Sequence, residues 1–306
     1  MMTFGDRVVS LVKKKQSAVC VGLDPRSAWI PPSLMKESML RNEASPIAAQ
    51  ADAIREFCCR VIDLVEPFAV AVKPQFAFFE ALHVPGIAAL MEVCRYARMR
   101  GLLIIADAKR GDIDTTATAY AQAYLSGTAM DPPVADSITI NAYMGYDGVA
   151  PFLVEGATTG GGVFVLVKTS NPSSADFQDL LDQEGVPIYE RMAQKVNSWN
   201  KTHGSSGYGS VGAVVGATWP QHLAALRIAM PHSIILVPGY GAQGGGAESV
   251  RGAFDSRGQG ALITASRSVV FPWAKQPSVP VHWEQSIVHE AQLMRDDLRN
   301  LVGEYR

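Results

Sequence analysis

Short runs of apolar and β-branched residues alternate along the chain with longer segments whose apolar positions recur every three to four residues. The short runs are AVCVGL (18–23), FAVAVK (68–73), LLIIAD (102–107), SITI (137–140), GVFVLVK (162–168), VGAVVG (211–216), SIILVP (233–238) and GALITA (260–265). Their length and composition predict strands. The segments between them, AAQADAIREFCCRVIDL, GIAALMEVCRYARMR, TATAYAQAYL, PIYERMAQKVNSWNK, PQHLAALRIAM and AESVRGAF, predict helices through their spacing or Ala-rich composition. MMTFGDRVVSLVKKK reads as a short amphipathic helix at the start, and WEQSIVHEAQLMRDDLRNLV as a final helix after the last strand. Strand–helix alternation implies a parallel sheet with right-handed crossovers. Eight such units within about 250 residues favour a closed (β/α)8 TIM barrel over an open sheet. With no internal repeat, low-complexity tract or second domain in view, residues 1–306 are expected to form one α/β barrel domain. It carries a Pro-rich insertion after the first strand, at about 25–46, and the C-terminal helix.

Composition narrows the partners. With 48% hydrophobic and 18% charged residues, a large core is available and disorder is disfavoured. A net charge of −2 marks neither nucleic acid nor an anionic membrane as a partner. No apolar stretch approaches the roughly 20 residues that span a bilayer, and the N-terminus lacks the basic-then-apolar order of a signal peptide. Cys20, Cys58, Cys59 and Cys94 include no CxxC pair, which fits reduced structural thiols and a cytoplasmic setting. The six histidines show no metal-ligand spacing, so a metal site is not expected.

The strand ends change the picture most. In a barrel of this kind the site lies at the carboxyl ends of the strands. Strand one runs into Asp24, strand two into Lys73, strand three into Asp107 and Lys109, and strand four into Asn141. Strand five gives Lys168, Thr169, Ser170 and Asn171, and strand eight gives Ser266 and Arg267. Five of the eight residues in DAKRGDID (107–114) are charged. If extended geometry continues, Asp107 and Lys109 share a face and point at the barrel axis near Lys73. Opposite charges in such a mouth hold one another ionised. One reading is a structural ion-pair network that plugs the barrel top; against it, buried charge pairs are weak devices for stability. Arg110 and Asp114 read as solvated or interfacial.

These residues resemble a known family. DAKRGDI matches the Asp-x-Lys-x-x-Asp-Ile signature of the orotidine 5′-monophosphate decarboxylases. The resemblance runs in order through Asp24, VAVKPQ with Lys73, the signature, KTSNPSS, VPGYGAQGG and ASRSV, and is similar to the longer bacterial group. It implies decarboxylation of orotidine monophosphate to uridine monophosphate in pyrimidine synthesis, with neither metal nor organic cofactor. Without an electron sink, the ring carbon left behind carries negative charge, and fixed positive charge is the available stabiliser. Lys109 is then the cation and the acid that protonates carbon 6. Asp107 sits against the departing carboxylate. Lys73 holds Asp107 ionised and reaches a ribose hydroxyl, and Asp24 binds ribose. In the family the second Asp and a Thr four residues on cross into the neighbour's site, which implies a homodimer with composite sites through Asp112 and Thr116. For Asp112 the alternative is an N-cap of the following helix.

GYGAQG (239–244) fits GxGxxG after a strand, but a dinucleotide fingerprint opens a βαβαβ half-domain, and too little chain follows here. A phosphate grip fits better, since loops after strands seven and eight of such barrels often bind phosphate. The resemblance places Gln243 and Arg267 on the phosphate. Ser266 stands where the family commonly has Gly. Tyr240 either closes over the site or is an ordinary loop aromatic. Ser170 reads the pyrimidine edge, or SNP simply makes a turn. Three other functions stay open on the same barrel: a Schiff-base aldolase using Lys109 or Lys73, a metal-dependent sugar-phosphate decarboxylase, and a non-catalytic phosphate-ligand binder.

Overall fold

The computed structural model describes residues 2–128, 130–241 and 246–306. Eight parallel strands follow one another around a closed barrel: β1 (Val19–Leu23), β2 (Ala71–Pro74), β3 (Leu103–Arg110), β4 (Ser137–Ile140), β5 (Gly162–Lys168), β6 (Val211–Val215), β7 (Ile235–Pro238) and β8 (Ala261–Ala265). β8 returns to β1 with Val19 opposite Ile263 and Val21 opposite Ala265. This is the expected (β/α)8 architecture. Every residue of β1, β2, β4, β6 and β8 is buried. One face fills the barrel and the other is covered by helices, so the strands are largely apolar, and charge enters them at their carboxyl ends, as with Lys73 in β2, Asp107, Lys109 and Arg110 in β3 and Lys168 in β5.

Helix Pro46–Val65 shows how the outer layer is built. The Ser45 hydroxyl accepts the Ala48 N–H at 3.3 Å and Pro46 opens the first turn, where its missing donor costs nothing. The helix then buries Ile54, Phe57, Val61 and Val65 against the barrel. Removing a Phe57-sized side chain from water stabilises by about 2–3 kcal/mol. Helix Phe4–Lys15 covers the opposite end from the site. Its Thr3–Asp6 capping box fixes the start, and Phe4 meets Phe164 edge-on at 5.6 Å. Among the described residues no helix is long and apolar enough to cross a membrane.

Two elements differ from the sequence expectation. Helix Ala150–Thr159 lies between β4 and β5, where no helix was expected. Only Phe152 and Gly156 of it are buried, while Val154 is exposed, so it carries no apolar stripe to read. The 25–46 insertion contains helix Pro32–Arg41, tied to helix Pro46–Val65 by Arg41 bridging Asp52 and Glu56, each at 2.8 Å. A smaller difference is that AESVRGAF winds as a 3-10 turn over Ala247–Ala253.

Candidate active site

β3 continues to Arg110 instead of stopping at Asp107. Its register against β4 shifts between Ala106 and Arg110, and Lys109 adopts a left-handed backbone with φ 48°. Such a conformation costs a lysine on the order of 1–2 kcal/mol. It persists because its surroundings hold it. The Lys109 N–H donates to Thr139 Oγ1 at 3.0 Å. The Asn141 N–H donates to the Arg110 carbonyl at 2.8 Å. The Arg110 guanidinium donates to the Ala108 carbonyl at 3.0 Å, to Tyr124 Oη at 3.1 Å and to Glu80. Arg110 is therefore no solvated charge: its side chain is 22% exposed and braces the kink. Asp107 and Lys109 do meet, but through this kink and not through plain strand alternation.

Asp107 is the hub. Lys73 donates to its Oδ2, and both side chains are buried. Lys109 Nζ lies 2.5 Å from Oδ1. Gln75 Nε2 donates to Oδ2 at 3.1 Å, and Thr139 Oγ1 lies 3.2 Å from Oδ1. Burial alone would raise the Asp107 pKa, but the Lys73 and Lys109 ammoniums outweigh it and bring it down to about 2. Burial likewise opposes charge on Lys73, and Asp107 and Asp24 overcome it, so its pKa is raised.

Two cavities open on either side of this array. One, of about 290 Å³, is bounded by Asp24, Arg26, Trp29, Ser266 and Arg267 together with Lys73 and Asp107. Asp24 Oδ1 is buried there without a hydrogen-bond partner among the described residues, an acceptor left open for a ligand donor. The other, of about 450 Å³, holds Lys109, Thr139, Ser170 and Gln178 beside the same Lys73 and Asp107. Gln178 pins the Ser170 loop, accepting the Thr169 N–H at 2.9 Å and donating to Thr169 Oγ1 at 2.8 Å. Gly216 leaves room for that loop, since a Cβ there would stand 2.9 Å from Ser170 Cβ.

Ser266 has its own accommodation. A Cβ on Gly22 would come within 1.9 Å of Ser266 Oγ, so the hydroxymethyl group occupies space that β1 leaves empty. Gly22→Ala is expected to destabilise the fold by about 1–3 kcal/mol through this clash. Adding Ser266→Gly should restore most of the loss in a urea-unfolding comparison, and no recovery would refute the coupling.

Of the residues expected at the site, Asp24, Lys73, Asp107, Lys109, Ser170, Ser266 and Arg267 line the two cavities. Asp112 and Thr116 line neither of them. Asp112 is no N-cap either. Helix Asp114–Leu125 starts after Ile113 with no side-chain cap, and Asp112 Oδ1 accepts the adjacent Ile113 N–H at 2.8 Å. Gln243 lies outside the described residues. Lys168 turns to Asp179, and Asn141 is exposed and lines neither cavity. Tyr240 lines the smaller cavity while its hydroxyl donates to Asp297 at 2.9 Å. Ser170 lines the larger cavity and precedes the 3-10 turn Pro172–Asp176. Gln75, Thr139, Gln178, Arg26 and Trp29 are the site residues that sequence reasoning missed. Among the described residues no group of three or more His, Cys, Asp or Glu side chains is placed to hold a metal.

Comparison with known proteins identifies the family. The model of the orotidine 5′-phosphate decarboxylase / HUMPS family matches residues 17–271. The orotidine 5′-phosphate decarboxylase of Rhodopirellula baltica is 46% identical over 274 residues, 89% of each chain. That of Deinococcus radiodurans is 39% identical over 303 residues, 98% of each chain. The structure of Leishmania donovani OMP decarboxylase superposes with a TM-score of 0.74 at 32% identity, covering 98% of this chain and 99% of that one. The matched span takes in all eight strands and the charged residues at their ends, and the chain belongs to the orotidine 5′-phosphate decarboxylase / HUMPS family.

Proposed function

We propose that this chain, as one barrel domain, converts orotidine 5′-monophosphate to uridine 5′-monophosphate and carbon dioxide in pyrimidine synthesis, using no metal or organic cofactor. The observation that carries the reading is a carboxylate, Asp107, held ionised between two lysines where the two cavities join. The pyrimidine occupies the larger cavity, with Ser170 at its polar edge. Ribose hydroxyls meet Asp24 and Lys73, and the phosphate meets Arg267. The substrate carboxylate is then brought against Asp107, whose charge cannot be relieved by protonation near neutral pH. Breaking the bond from carbon 6 to the carboxyl group removes that repulsion as neutral carbon dioxide leaves. The electron pair stays on carbon 6, facing the Lys109 ammonium. Lys109 transfers a proton to carbon 6 and regains one from water, which its half-exposed side chain reaches.

The active unit is read as a homodimer in which Asp112 and Thr116 complete the partner's site. In support, Ile113, which follows Asp112, and Val154 are exposed apolar residues that border one surface cavity. A cytoplasmic setting is supported by Cys20, Cys58, Cys59 and Cys94 all being free thiols, three of them buried.

The test is the loss of ultraviolet absorbance of orotidine monophosphate on adding purified protein in the presence of a chelator. Turnover abolished by the chelator would favour a metal-dependent decarboxylase, and an adduct trapped by borohydride on Lys109 or Lys73 would favour an aldolase. Binding of uridine monophosphate without turnover would leave a ligand-binding protein. Arg110→Met should lower kcat about tenfold with little change in KM, because it loosens the Lys109 kink and touches no ligand. Equal changes in kcat and KM, or none, would remove Arg110 from this positioning role.

A further inference from the structure

The insertion after β1 brings a second guanidinium into the Arg267 cavity. Arg26 and Trp29 both line it. Arg26 Cζ lies 4.6 Å from the Trp29 ring centroid, and Arg267 Cζ lies 5.8 Å from the same centroid. One indole therefore carries two cations. Among the described residues, neither side chain has an ion-pair or hydrogen-bond partner. The cavity's own carboxylates do not supply one: Asp107 is engaged by Lys73 and Lys109, and Asp24 Oδ1 has no partner.

The indole is firmly placed. The Trp29 backbone carbonyl accepts the Trp273 Nε1–H at 3.0 Å, and the Trp29 ring lies 5.4 Å from that of Phe271, which stacks on Phe57 at 5.1 Å. On either side, Ser27 accepts from Gln50, and Ile30 and Leu34 are buried. An aromatic face attracts a guanidinium and fixes its plane while leaving its N–H edge free. Both guanidiniums line one cavity, and an anion bound between them would offset their mutual repulsion. A phosphoryl dianion offers several acceptor oxygens to two planar forks.

We propose that Arg26, held on Trp29, is a second phosphoryl-binding cation beside Arg267, so that the 25–46 insertion sets the preference for phosphorylated over unphosphorylated ligands. Naming that ligand as a nucleoside monophosphate rests on the decarboxylase reading; the phosphoryl chemistry does not.

The test compares affinities for uridine monophosphate and uridine by titration calorimetry. Arg26→Ala is expected to weaken the nucleotide at least tenfold and to leave the nucleoside within twofold. Trp29→Leu should do the same to a smaller extent, and Arg26→Lys should recover part of the loss. Arg267→Ala serves as the comparator. Equal losses for nucleotide and nucleoside, or no loss for the nucleotide, would overturn the assignment. A second readout is independent of the reaction: inorganic phosphate should raise the melting temperature of the unmodified protein more than that of Arg26→Ala. Equal protection of the two proteins also overturns it. If the unmodified protein leaves orotidine monophosphate intact while Arg26→Ala loses phosphate protection, the decarboxylase reading fails and the Arg26 assignment stands.

Discussion

Lys109→Ala is expected to lower turnover of orotidine monophosphate by at least about a thousandfold while affinity for uridine monophosphate changes by less than about tenfold. The asymmetry follows from placement. The Lys109 ammonium stands in the larger cavity, 2.5 Å from Asp107, whereas Arg267 lines the other one. In the proposed mechanism, one substitution removes both the cation facing the developing carbanion and the proton it needs. The contacts that hold a product without the carboxyl group remain. The fold should tolerate the change, because Asp107 keeps Lys73, Gln75 and Thr139. Lys109→Arg should fail as well, since a guanidinium keeps the charge but does not release a proton. The left-handed backbone adds a check: Lys109→Gly should be more stable than Lys109→Ala by about 1 kcal/mol, as glycine adopts φ 48° without strain. Steady-state absorbance assays with calorimetry decide the matter. Undiminished turnover, or losses in turnover and product affinity of equal size, would contradict the role.

The barrel is legible because its strands are continuous apolar runs, and such runs survive any choice of register. Helix Ala150–Thr159 escapes notice because it buries two residues and exposes Val154. At the site, Lys73, Asp107 and Lys109 stand out as charges that end apolar runs, and barrel topology says where such ends converge. Thr139 does not stand out inside SITI, and its role appears only when β4 is set against the kink of β3. Gln75 and Gln178 act through hydrogen bonds whose partners depend on loop paths, which no periodicity encodes. Arg26 and Trp29 lie in a Pro-rich stretch where a cation and an aromatic look like surface. Arg110 reads as solvated until Glu80, Tyr124 and the Ala108 carbonyl surround it.

Asp107→Ala should abolish turnover and also destabilise the fold by about 3 kcal/mol at pH 7. The second effect belongs to Lys73, whose ammonium is buried and owes its charge to Asp107 and Asp24. Without Asp107, desolvation acts on Lys73 against Asp24 alone, and its pKa falls. A lysine whose folded value is depressed destabilises below that value, so the variant should regain stability as the pH is raised from 7 towards 10. Asp107 titrates in the opposite sense. Its folded pKa of about 2 lies below the ordinary 3.8, so its stabilisation is complete above about pH 5 and is lost as the pH falls towards 2. The gap of nearly two pH units corresponds to about 2 kcal/mol. The stability difference between the unmodified protein and the variant should therefore shrink across that acid range. A double-mutant cycle separates fold from chemistry. Lys73→Met with Asp107→Leu removes both buried charges together and should cost less stability than the sum of the single changes by at least about 1 kcal/mol. The double variant should remain inactive. Denaturant unfolding at several pH values would measure each quantity. Strictly additive losses would mean that the pair is not coupled, whereas a stable but inactive double variant would mean that the charges are kept for what they do to the substrate.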